Sequence, residues 1–311
     1  MKTIAIQGDK LEKLNLNVDT SLYIASQLQN YKIFWYEPHK LSYCNGQFIA
    51  TGVYIKSHFE SNKLEYIKLE EGIIDLSTVS CIMIRQDPPV NMEYIASTHI
   101  LSLLSQNFPN IFFINNPDAV RNYVEKFLPI ITSYTNTPPT LISNDLGEIK
   151  LFLSKYQKII MKPIYDYGGH EIITIAVGEE KFVSEYLDKH PKIQVIIQKF
   201  LPEIYKGDKR IIICDGEVLG SLGRIPDQEN FLTNTCMGGK IIPSDLTDEE
   251  YRTCDFIAKQ LKQLGIFFAG IDMIGEFITE VNITSPGLLT SLHKEYGYPE
   301  KFFYKLEENI F

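Results

Sequence analysis

Residues 270–284 constrain the fold most, because their polar and apolar side chains alternate as in a β-strand with one buried face. Oxygen-bearing side chains occupy every second position near the end of this segment: Glu280, Asn282 and Thr284. The residues between them are apolar, so one face of the strand is apolar and the other presents side-chain oxygens. A hairpin folded about Glu276 would place Asp272 opposite Glu280.

Acidic side chains that converge on the buried side of a hairpin need a counter-charge. An ionised carboxylate removed from water costs several kcal/mol unless a cation or hydrogen-bond donors compensate it. Oxygen ligands without His or Cys favour Mg²⁺ over Zn²⁺. An ordinary hairpin whose polar face meets solvent is the alternative, and this segment alone does not decide between the two.

Composition excludes several classes of protein. The chain has 311 residues, 44% of them hydrophobic and 22% charged, which indicates a globular protein of two or three domains. Its 30 basic and 39 acidic residues give a net charge of -9, which argues against a nucleic-acid backbone as a partner. The five cysteines show no C-x-x-C pair or zinc spacing and favour a reducing cytoplasm. No signal peptide, membrane-spanning run or membrane partner is expected.

Strands and helices alternate in the first third of the chain, which predicts a parallel sheet covered by helices. The predicted strands are residues 3–7, 32–36, 81–85 and 111–114. The other predicted elements are an amphipathic helix over 19–29, a helix over 92–106 and a hairpin-rich insert over 42–68. The sequence contains neither G-x-G-x-x-G nor G-x-x-x-x-G-K-[ST], so the common dinucleotide and P-loop sites lose their main support.

A polar, proline-bearing stretch, residues 132–140, breaks this pattern and connects to a second unit. There we predict strands over 158–162, 172–175 and 194–198, and helices over 146–155 and 181–187. The last part carries predicted strands over 209–214 and 218–224, the hairpin of residues 270–284, and a helix over 248–264 that begins at Ser244 or Thr247.

Several cations occur where an anionic ligand could use them. Lys162 ends an apolar strand just before Gly168 and Gly169, and paired glycines let backbone N–H groups approach phosphate oxygens. A strand followed by two glycines is more often only a turn. Lys126 falls near the end of a helix predicted to begin at Asp118, where a solvated lysine is the ordinary interpretation.

Two arginines and one strand end complete the candidate site. Arg210 and Arg224 lie on adjacent strands of a hairpin that turns about residues 215–216. That register brings both guanidiniums within reach of one phosphate, and two surface arginines are the alternative. The strand over 194–198 runs into Pro202, so its end could offer an adenine one backbone donor and one acceptor beside apolar side chains.

These motifs together resemble those of the ATP-grasp ligases, and more closely those of the bacterial glutathione synthetases. No single segment is decisive, but their order and spacing are specific and span nearly the whole chain. The R-x-D-P-P sequence at 85–89 and the T-E-x-N-x-T-S-P sequence at 279–286 point to this branch. The other matching segments are residues 92–94, 116–117, 121–122, 125–126, 162–163, 168–169, 198–202, 207–210, 224–226, 238–239 and 270–272.

The resemblance implies an α/β (α+β) architecture, the ATP-grasp fold. Its parts would be a parallel-sheet N-terminal substrate domain over residues 1–121 and an ATP-grasp domain over 122–311. The second would contain a small central lid subdomain at about 136–200 and a C-terminal antiparallel-sheet catalytic subdomain at about 201–311.

The resemblance also implies a role for each site residue. The implied ATP ligands are Lys126, Lys162, Gly168 and Gly169 at the phosphates, Gln198, Lys199, Phe200 and Leu201 at the adenine, and Asp208 at the ribose. The implied ligands of Mg²⁺, with Mn²⁺ as the alternative ion, are Asp272, Glu280 and Asn282. The residues implied to stabilise the transferring γ-phosphoryl group are Arg210 and Arg224. The implied peptide ligands are Arg85, Asn234, Gly238, Gly239 and Ser285.

Enzymes of this kind join γ-glutamylcysteine and glycine to give glutathione, ADP and phosphate through an acyl phosphate. An acyl phosphate must be kept from water, and the family places a lid over the site, here residues 227–239. A homodimer or homotetramer is also implied. The alternatives are an ATP-grasp carboxylate–amine ligase for another dipeptide or amine, and an ATP-binding protein without catalytic activity.

The chain departs from the family pattern in the lid and beside the peptide site. Phe231 and Leu232 stand where relatives usually carry an arginine. Gly287 follows Ser285 and Pro286 where a threonine is usual. These departures concern lid closure and peptide affinity rather than the type of reaction.

Overall fold

The computed structural model describes residues 1–133, 136–165, 168–169, 171–226 and 239–310. Within them the strands form three sheets, of seven, four and five strands. No helix in this part of the chain is long and apolar enough to cross a membrane. The predicted lid, except Gly239, lies outside the described residues, and so do Asn234, Gly238, Phe231 and Leu232.

The first sheet has the order β3-β4-β2-β1-β6-β7, with β5 also paired to β4. Its strands are β1 Thr3–Gln7, β2 Lys32–Tyr36, β3 Leu41–Cys44, β4 Gln47–Glu60, β5 Lys63–Asp75, β6 Cys81–Ile84 and β7 Phe112–Ile114. Its helices are α1 Thr20–Gln27, α2 Met92–Asn107 and α3 Pro117–Asn122. The pairs β1-β2, β1-β6 and β6-β7 are parallel, as the alternation of elements predicted. The predicted insert is antiparallel and extends further than expected, to Asp75.

The second sheet is antiparallel, in the order β10-β9-β11-β8. Helix α4, Leu128–Ser133, precedes it. Its strands are β8 Thr140–Ser143, β9 Lys158–Pro163, β10 Ile173–Ala176 and β11 Val195–Lys199. Helices α5, Leu146–Tyr156, and α6, Lys181–Lys189, bury their apolar side chains with those of β9 and β11 in a small separate core.

The third sheet is also antiparallel, in the order β14-β13-β12-β15-β16. Its strands are β12 Asp208–Cys214, β13 Glu217–Ile225, β14 Lys240–Pro243, β15 Phe268–Ile274 and β16 Phe277–Asn282. The remaining helices are α7 Asp248–Gln263, α8 Leu289–Tyr296 and α9 Glu300–Ile310. Thr247 begins α7, because its side chain and that of Glu250 each bond the other's backbone N–H in a capping box.

Helix α1 is buried on all sides and is not the amphipathic helix that the sequence predicted. Asp19 caps it by accepting the backbone N–H of Leu22 at 2.6 Å, and residues 20–26 are all buried. One side packs on β4, and on the other the hydroxyl of Tyr23 lies 2.6 Å from Nδ1 of His293 on α8. A helix covered on two sides does not need a polar face. Helix α1 thus joins the first sheet to the C-terminal helices.

Candidate active site

The register of the third sheet brings the predicted charged residues onto one face. β12 pairs with β15 so that Arg210 lies opposite Asp272, and β15 pairs with β16 so that Asp272 lies opposite Glu280. On the other side of β12, Asp208 lies opposite Arg224. Because residues two apart in a strand share a face, these five side chains project to the same side of the sheet.

The opposition of Asp272 and Glu280 confirms the predicted pairing, but it arises differently. The turn holds only residues 275–276, and a β-bulge between Asp272 and Met273 shifts the register by one residue. Without the bulge, regular pairing would set Asp272 opposite Thr279, whose side chain belongs to the other face. The bulge therefore brings the two carboxylates together.

Two guanidiniums converge on the carboxylate of Asp272. Arg210 binds it as a fork, with Nε donating to Oδ1 and Nη2 donating to Oδ2 at 2.8 Å. Nη2 of Arg224 lies 3.1 Å from Asp272 Oδ1, and Arg224 is held in turn by both carboxylate oxygens of Asp208. The hairpin register predicted that both arginines could reach one anion, and here that anion is Asp272.

This buried network fixes the charges of its members. Burial alone would raise the pKa of the Asp272 carboxyl, but the adjacent Arg210 and Arg224 hold that pKa well below its usual value. Burial would likewise lower the pKa of Arg224, and the carboxylates of Asp272 and Asp208 raise it instead. Gly270 makes the packing feasible, because a Cβ there would lie 2.8 Å from Cδ of Arg210.

Asp208 and the candidate adenine residues are engaged within the chain. Asp208, predicted at the ribose, is buried with both oxygens on Arg224, so it orients that arginine. Gln198 donates to Thr140 Oγ1 at 3.1 Å inside the second sheet. The backbone N–H groups of Lys199 and Phe200 donate to the carbonyls of residues 139 and 158. Among these four candidates, the backbone of Leu201 is therefore the one best suited to donate to an adenine.

The predicted metal ligands differ in how accessible they are. The side chain of Glu280 is 26% exposed, against 7% for Asp272. Nδ2 of Asn282 donates to the carbonyl of Gly270 at 3.1 Å and to Asp272 Oδ2 at 3.3 Å, which leaves Oδ1 as the amide atom for a cation. No group of three or more His, Cys, Asp or Glu in the described residues could hold a metal. Two carboxylates and one amide oxygen nevertheless fit a hard divalent cation.

Lys126 reaches this face from a turn, so the prediction that it falls near the end of a helix beginning at Asp118 is wrong. Helix α3 ends at Asn122, and Nζ of Lys126 lies 3.7 Å from Glu280 Oε1. The backbone leaves the helix because Glu125 bonds to β16: its carbonyl accepts the N–H of Val281 at 3.1 Å.

Glu125 is a site residue that sequence reasoning missed. Its Oε1 accepts the backbone N–H groups of Ile283 and Thr284 at 2.6 and 2.9 Å, and the Thr284 hydroxyl at 3.0 Å. Burial and the nearby charge of Glu280 raise the pKa of Glu125. Glu125 thus fixes Lys126, its neighbour in the chain, relative to the metal strand. The only sequence signal was an acid next to a candidate lysine.

Asn115 is a second missed residue, and it ties β7 to the third sheet. Its Oδ1 accepts the N–H groups of Phe267 and Phe268 at 2.8 and 2.7 Å. Its Nδ2 donates to the carbonyls of Phe268 and Ile283 at 2.7 and 2.6 Å. The amide therefore uses its full hydrogen-bonding capacity, and it holds the two strands that carry Asp272 and Glu280.

Lys162 lies across the site on β9, within electrostatic range of Glu280, Lys126 and Asp272. Burial of its ammonium lowers its pKa to about 8, although the residue keeps some exposed surface. Gly168 and Gly169 follow with φ of 66° and 82°, a left-handed conformation that glycine adopts without strain. These positions agree with a loop in which backbone N–H groups approach phosphate.

The pKa of Lys162 predicts how nucleotide use depends on pH. The ammonium is charged below about pH 8 and loses its charge above it, so we expect kcat/KM for ATP to fall roughly tenfold between about pH 7 and about pH 9. Lys162→Arg should flatten the profile, since a guanidinium stays charged over this range. A flat wild-type profile in steady-state assays would contradict the assignment of Lys162 to the phosphates.

Arg85 and Ser285, the predicted peptide ligands, lie at the far end of the hairpin. Arg85 is buried, and its Nη2 donates to the carbonyl of Pro286 at 3.0 Å. The Ser285 hydroxyl donates to Oδ1 of Asp87. Gly239, a further candidate, precedes β14 where the described chain resumes. Arg85 and Ser285 therefore share one region, beyond the end of β16.

Gly287 lines the same region and has room for the threonine that the family resemblance implies at this position. A Cβ added there meets no atom within 4 Å, and its φ lies outside the left-handed range. We expect Gly287→Thr to leave the free energy of unfolding unchanged or to raise it by up to about 1 kcal/mol, and to lower KM for the peptide. Denaturant titration and initial rates measure both quantities.

Gly297→Thr is the matched contrast, because Gly297 also has open space but a φ of 90°. It should be destabilised by about 1 kcal/mol or more through strain. If Gly287→Thr proves the more destabilising of the two, or raises KM for the peptide, the space beside Gly287 is itself required.

Family models divide the chain much as its sheets do. The N-terminal domain model of prokaryotic glutathione synthetase matches residues 1–121, and the corresponding ATP-grasp domain model matches residues 125–297. The chain belongs to the prokaryotic glutathione synthetase family. The glutathione synthetase of Agrobacterium fabrum is 35% identical over 96% of this chain and 93% of its own length. That of Rhodopseudomonas palustris is 32% identical over 91% and 90%.

Solved structures place this family member in the ATP-grasp fold. D-cycloserine synthetase superposes with a TM-score of 0.68 over 99% of this chain and all of its own, at 12% sequence identity. An ATP-grasp ligase complexed with a precursor peptide variant, Mg and ADP gives a TM-score of 0.63 at 13% identity, over 99% of both chains. At such identities the likeness concerns the fold alone, and it confirms the predicted α/β ATP-grasp architecture.

Proposed function

We propose that this protein joins γ-glutamylcysteine and glycine to form glutathione, converting ATP to ADP and phosphate. The observation that carries the proposal is the convergence of Arg210 and Arg224 on one anion beside Glu280 and Asn282. Membership of the prokaryotic glutathione synthetase family supports the choice of substrates.

The chemistry follows from the charges. The cysteinyl carboxylate of the dipeptide attacks the γ-phosphorus of ATP, the bond to the bridging oxygen breaks, and ADP leaves. The glycine amine then attacks the acyl carbon, phosphate departs with the bonding electrons, and the nitrogen loses a proton to give the amide. Arg210 and Arg224 would neutralise the charge on the transferring group, since phosphoryl transfer depends mainly on positioning and electrostatics.

The residues present fit a divalent cation, for which we propose Mg²⁺ held by Glu280, Asn282 and Asp272. Such an ion would neutralise phosphate oxygens when bound. Four donor atoms already surround the Asp272 carboxylate, so it can take a cation only when a donor leaves. An arginine that turns from Asp272 to phosphate would release it.

The other proposed contacts follow the positions of the residues. Lys126 and Lys162 would hold the ATP phosphates, because both interact electrostatically with Glu280 from outside the third sheet. Gly168 and Gly169 would lie over the phosphates, and residues 198–201 would frame the adenine. Arg85 and Ser285 would bind the peptide.

Mg²⁺-dependent ADP release tests the proposal. We expect release only when γ-glutamylcysteine and glycine are both present, with glutathione formed in equal amount. ADP release only with a different dipeptide or a different amine would favour an ATP-grasp carboxylate–amine ligase with other substrates. Nucleotide binding without release for any acceptor pair would favour a protein that binds ATP without catalysis.

We also propose a reducing cytoplasm as the working compartment and a homo-oligomer as the working form. The described cysteines, Cys44, Cys81, Cys214 and Cys254, are free thiols, which fits a reducing compartment. Light scattering at assay concentration tests the second proposal, and the mass of a single 35.7 kDa chain would overturn it.

A further inference from the structure

A cavity of about 500 Å³ lies between β13, the start of α7 and the two C-terminal helices, α8 and α9. Three half-exposed tyrosines line it: Tyr251, Tyr296 and Tyr298, with 48%, 49% and 45% of their surface exposed. None of the described residues that we assign to nucleotide, metal or peptide is part of this lining. Sites for small organic molecules have volumes of about 300–1,000 Å³ and many aromatic side chains. The cavity is therefore a candidate ligand site separate from the catalytic face.

Contacts within the chain hold two of these rings in place. The hydroxyl of Tyr296 accepts the backbone N–H of Ser244 at 2.8 Å, which links α8 to the residue that follows β14. The ring of Tyr298 stacks on that of Phe303, with the ring centroids 5.2 Å apart and the planes within 4° of parallel. A ligand therefore does not have to order these two side chains when it binds.

Carboxylates give this cavity a negative potential. Asp245 and Glu300 line it, and neither forms an ion pair within the part of the chain that the structure describes. Glu307, on α9, lies close enough to act on the same tyrosine as Glu300: burial and the charges of Glu307 and Glu300 raise the pKa of Tyr298. The rings and the carboxylates therefore both favour positive charge in this cavity.

Neither an anion nor a metal ion suits this cavity. An anion would meet the carboxylates of Asp245 and Glu300, and the lysine in the lining, Lys301, is already paired with Glu217. A metal ion needs several converging ligands, and no group of three or more His, Cys, Asp or Glu among the described residues could hold one. The aromatic lining is also unlike the oxygen ligands that a hard cation requires.

We propose that this cavity binds a small organic cation, an alkylammonium ion whose charged group lies among the three tyrosines and the carboxylates of Asp245 and Glu300. The negative face of an aromatic ring attracts such a cation, and tyrosine is among the side chains best suited to this contact. The alkyl groups around the nitrogen are apolar, so they gain from leaving water for an aromatic lining. The inference does not depend on the proposed ligase activity, because binding at this cavity requires neither ATP nor peptide.

Two probes of equal shape isolate the charge: choline, and 3,3-dimethylbutan-1-ol, the neutral alcohol in which carbon replaces the nitrogen. We titrate the full chain with each at constant ionic strength and follow the leucine methyl resonances by NMR. We expect choline to bind roughly tenfold or more tightly than the alcohol. The resonances that shift should be those of the leucines in the lining, Leu219, Leu246 and Leu292.

Two variants test the lining itself. Tyr251→Leu keeps an apolar side chain but removes a ring, and Asp245→Asn removes a charge at nearly constant size. We expect each to weaken choline binding about threefold or more, and Asp245→Asn to leave binding of the alcohol unchanged. Tyr304→Leu is the matched control, because Tyr304 lies on α9, is 64% exposed and is not part of the lining. It should leave the Kd of both probes at the wild-type value.

Several results would overturn the assignment. Equal affinity for choline and the alcohol would show that the charge is not recognised, and no binding of either probe would show that the cavity takes no such ligand. Choline binding that Tyr304→Leu weakens as much as Tyr251→Leu would place the ion elsewhere. Because the titrations contain no ATP or peptide, tight choline binding by a chain that releases no ADP leaves this proposal standing and overturns only the ligase proposal.

Discussion

Replacing Glu280 with alanine should nearly abolish turnover: we expect Mg²⁺-dependent ADP release to fall roughly 10³-fold or more. Asp272 is enclosed by two arginines and Asn282 is uncharged, so Glu280 is the accessible anion through which the site can hold a divalent cation. The change also removes the carboxylate 3.7 Å from Nζ of Lys126. Steady-state ADP release over a range of Mg²⁺ concentrations measures the effect.

Glu276→Ala is the control for the same hairpin. Glu276 lies exposed at the turn, so its removal should leave both turnover and Mg²⁺ dependence at wild-type values. Glu280→Gln keeps the size of the side chain and should still lose most of the activity, because the charge is what the cation requires. Wild-type turnover in Glu280→Ala would show that the metal is held elsewhere.

Replacing Asn115 with alanine should lower the free energy of unfolding by about 4 kcal/mol or more, the largest loss of stability among the variants proposed. The change leaves buried N–H groups of Phe267 and Phe268 and buried carbonyls of Phe268 and Ile283 without their partner. Each unsatisfied group costs about 1–3 kcal/mol. Denaturant titration followed by circular dichroism measures the loss.

Asn107→Ala provides the comparison, since the Asn107 amide makes one exposed bond, to the carbonyl of Leu103 at 2.7 Å. Its effect should stay within about 0.5 kcal/mol. Asn115→Asp keeps the acceptor for the two N–H groups but loses both donors and buries a charge, so it too should be strongly destabilised. A loss below about 1 kcal/mol for Asn115→Ala would mean that water replaces the amide.

Local patterns predicted the strands and the charged face well. Alternation with a period of two placed Glu280 and Asn282 on one face, and the 215–216 turn predicted that Arg210 and Arg224 lie a few residues from facing each other across a hairpin. A register shift between Ile212 and Ile213 makes that separation two residues. Both inferences need only neighbours in the chain. The predicted pairing of Asp272 with Glu280 was correct, but we recognised no sequence feature that predicts the β-bulge producing it.

The residues that hold this face in place could not be predicted in the same way. Glu125 accepts hydrogen bonds from residues that lie 158 and 159 positions further along the chain. The hydrogen-bond partners of Asn115 lie 152 to 168 positions further along. Nothing local distinguishes such an acid or amide from a solvated one. The prediction that helix α1 is amphipathic failed for a related reason, because the helix that covers its second side lies at the other end of the chain. Long-range contacts, which a single sequence does not reveal, decided each case.

The arginine network has a consequence for nucleotide affinity. Asp208 and Asp272 hold Arg210 and Arg224 in defined rotamers by hydrogen bonds within the chain. A ligand that orders a long, flexible side chain on binding loses about 0.5–1.5 kcal/mol for each one. Asp208 can keep Arg224 in place when Asp272 releases a donor, so for Arg224 this entropy is lost on folding and not on binding. The guanidinium of Arg224 is therefore preorganised for phosphate, with the Asp208 carboxylate as the scaffold that orients it.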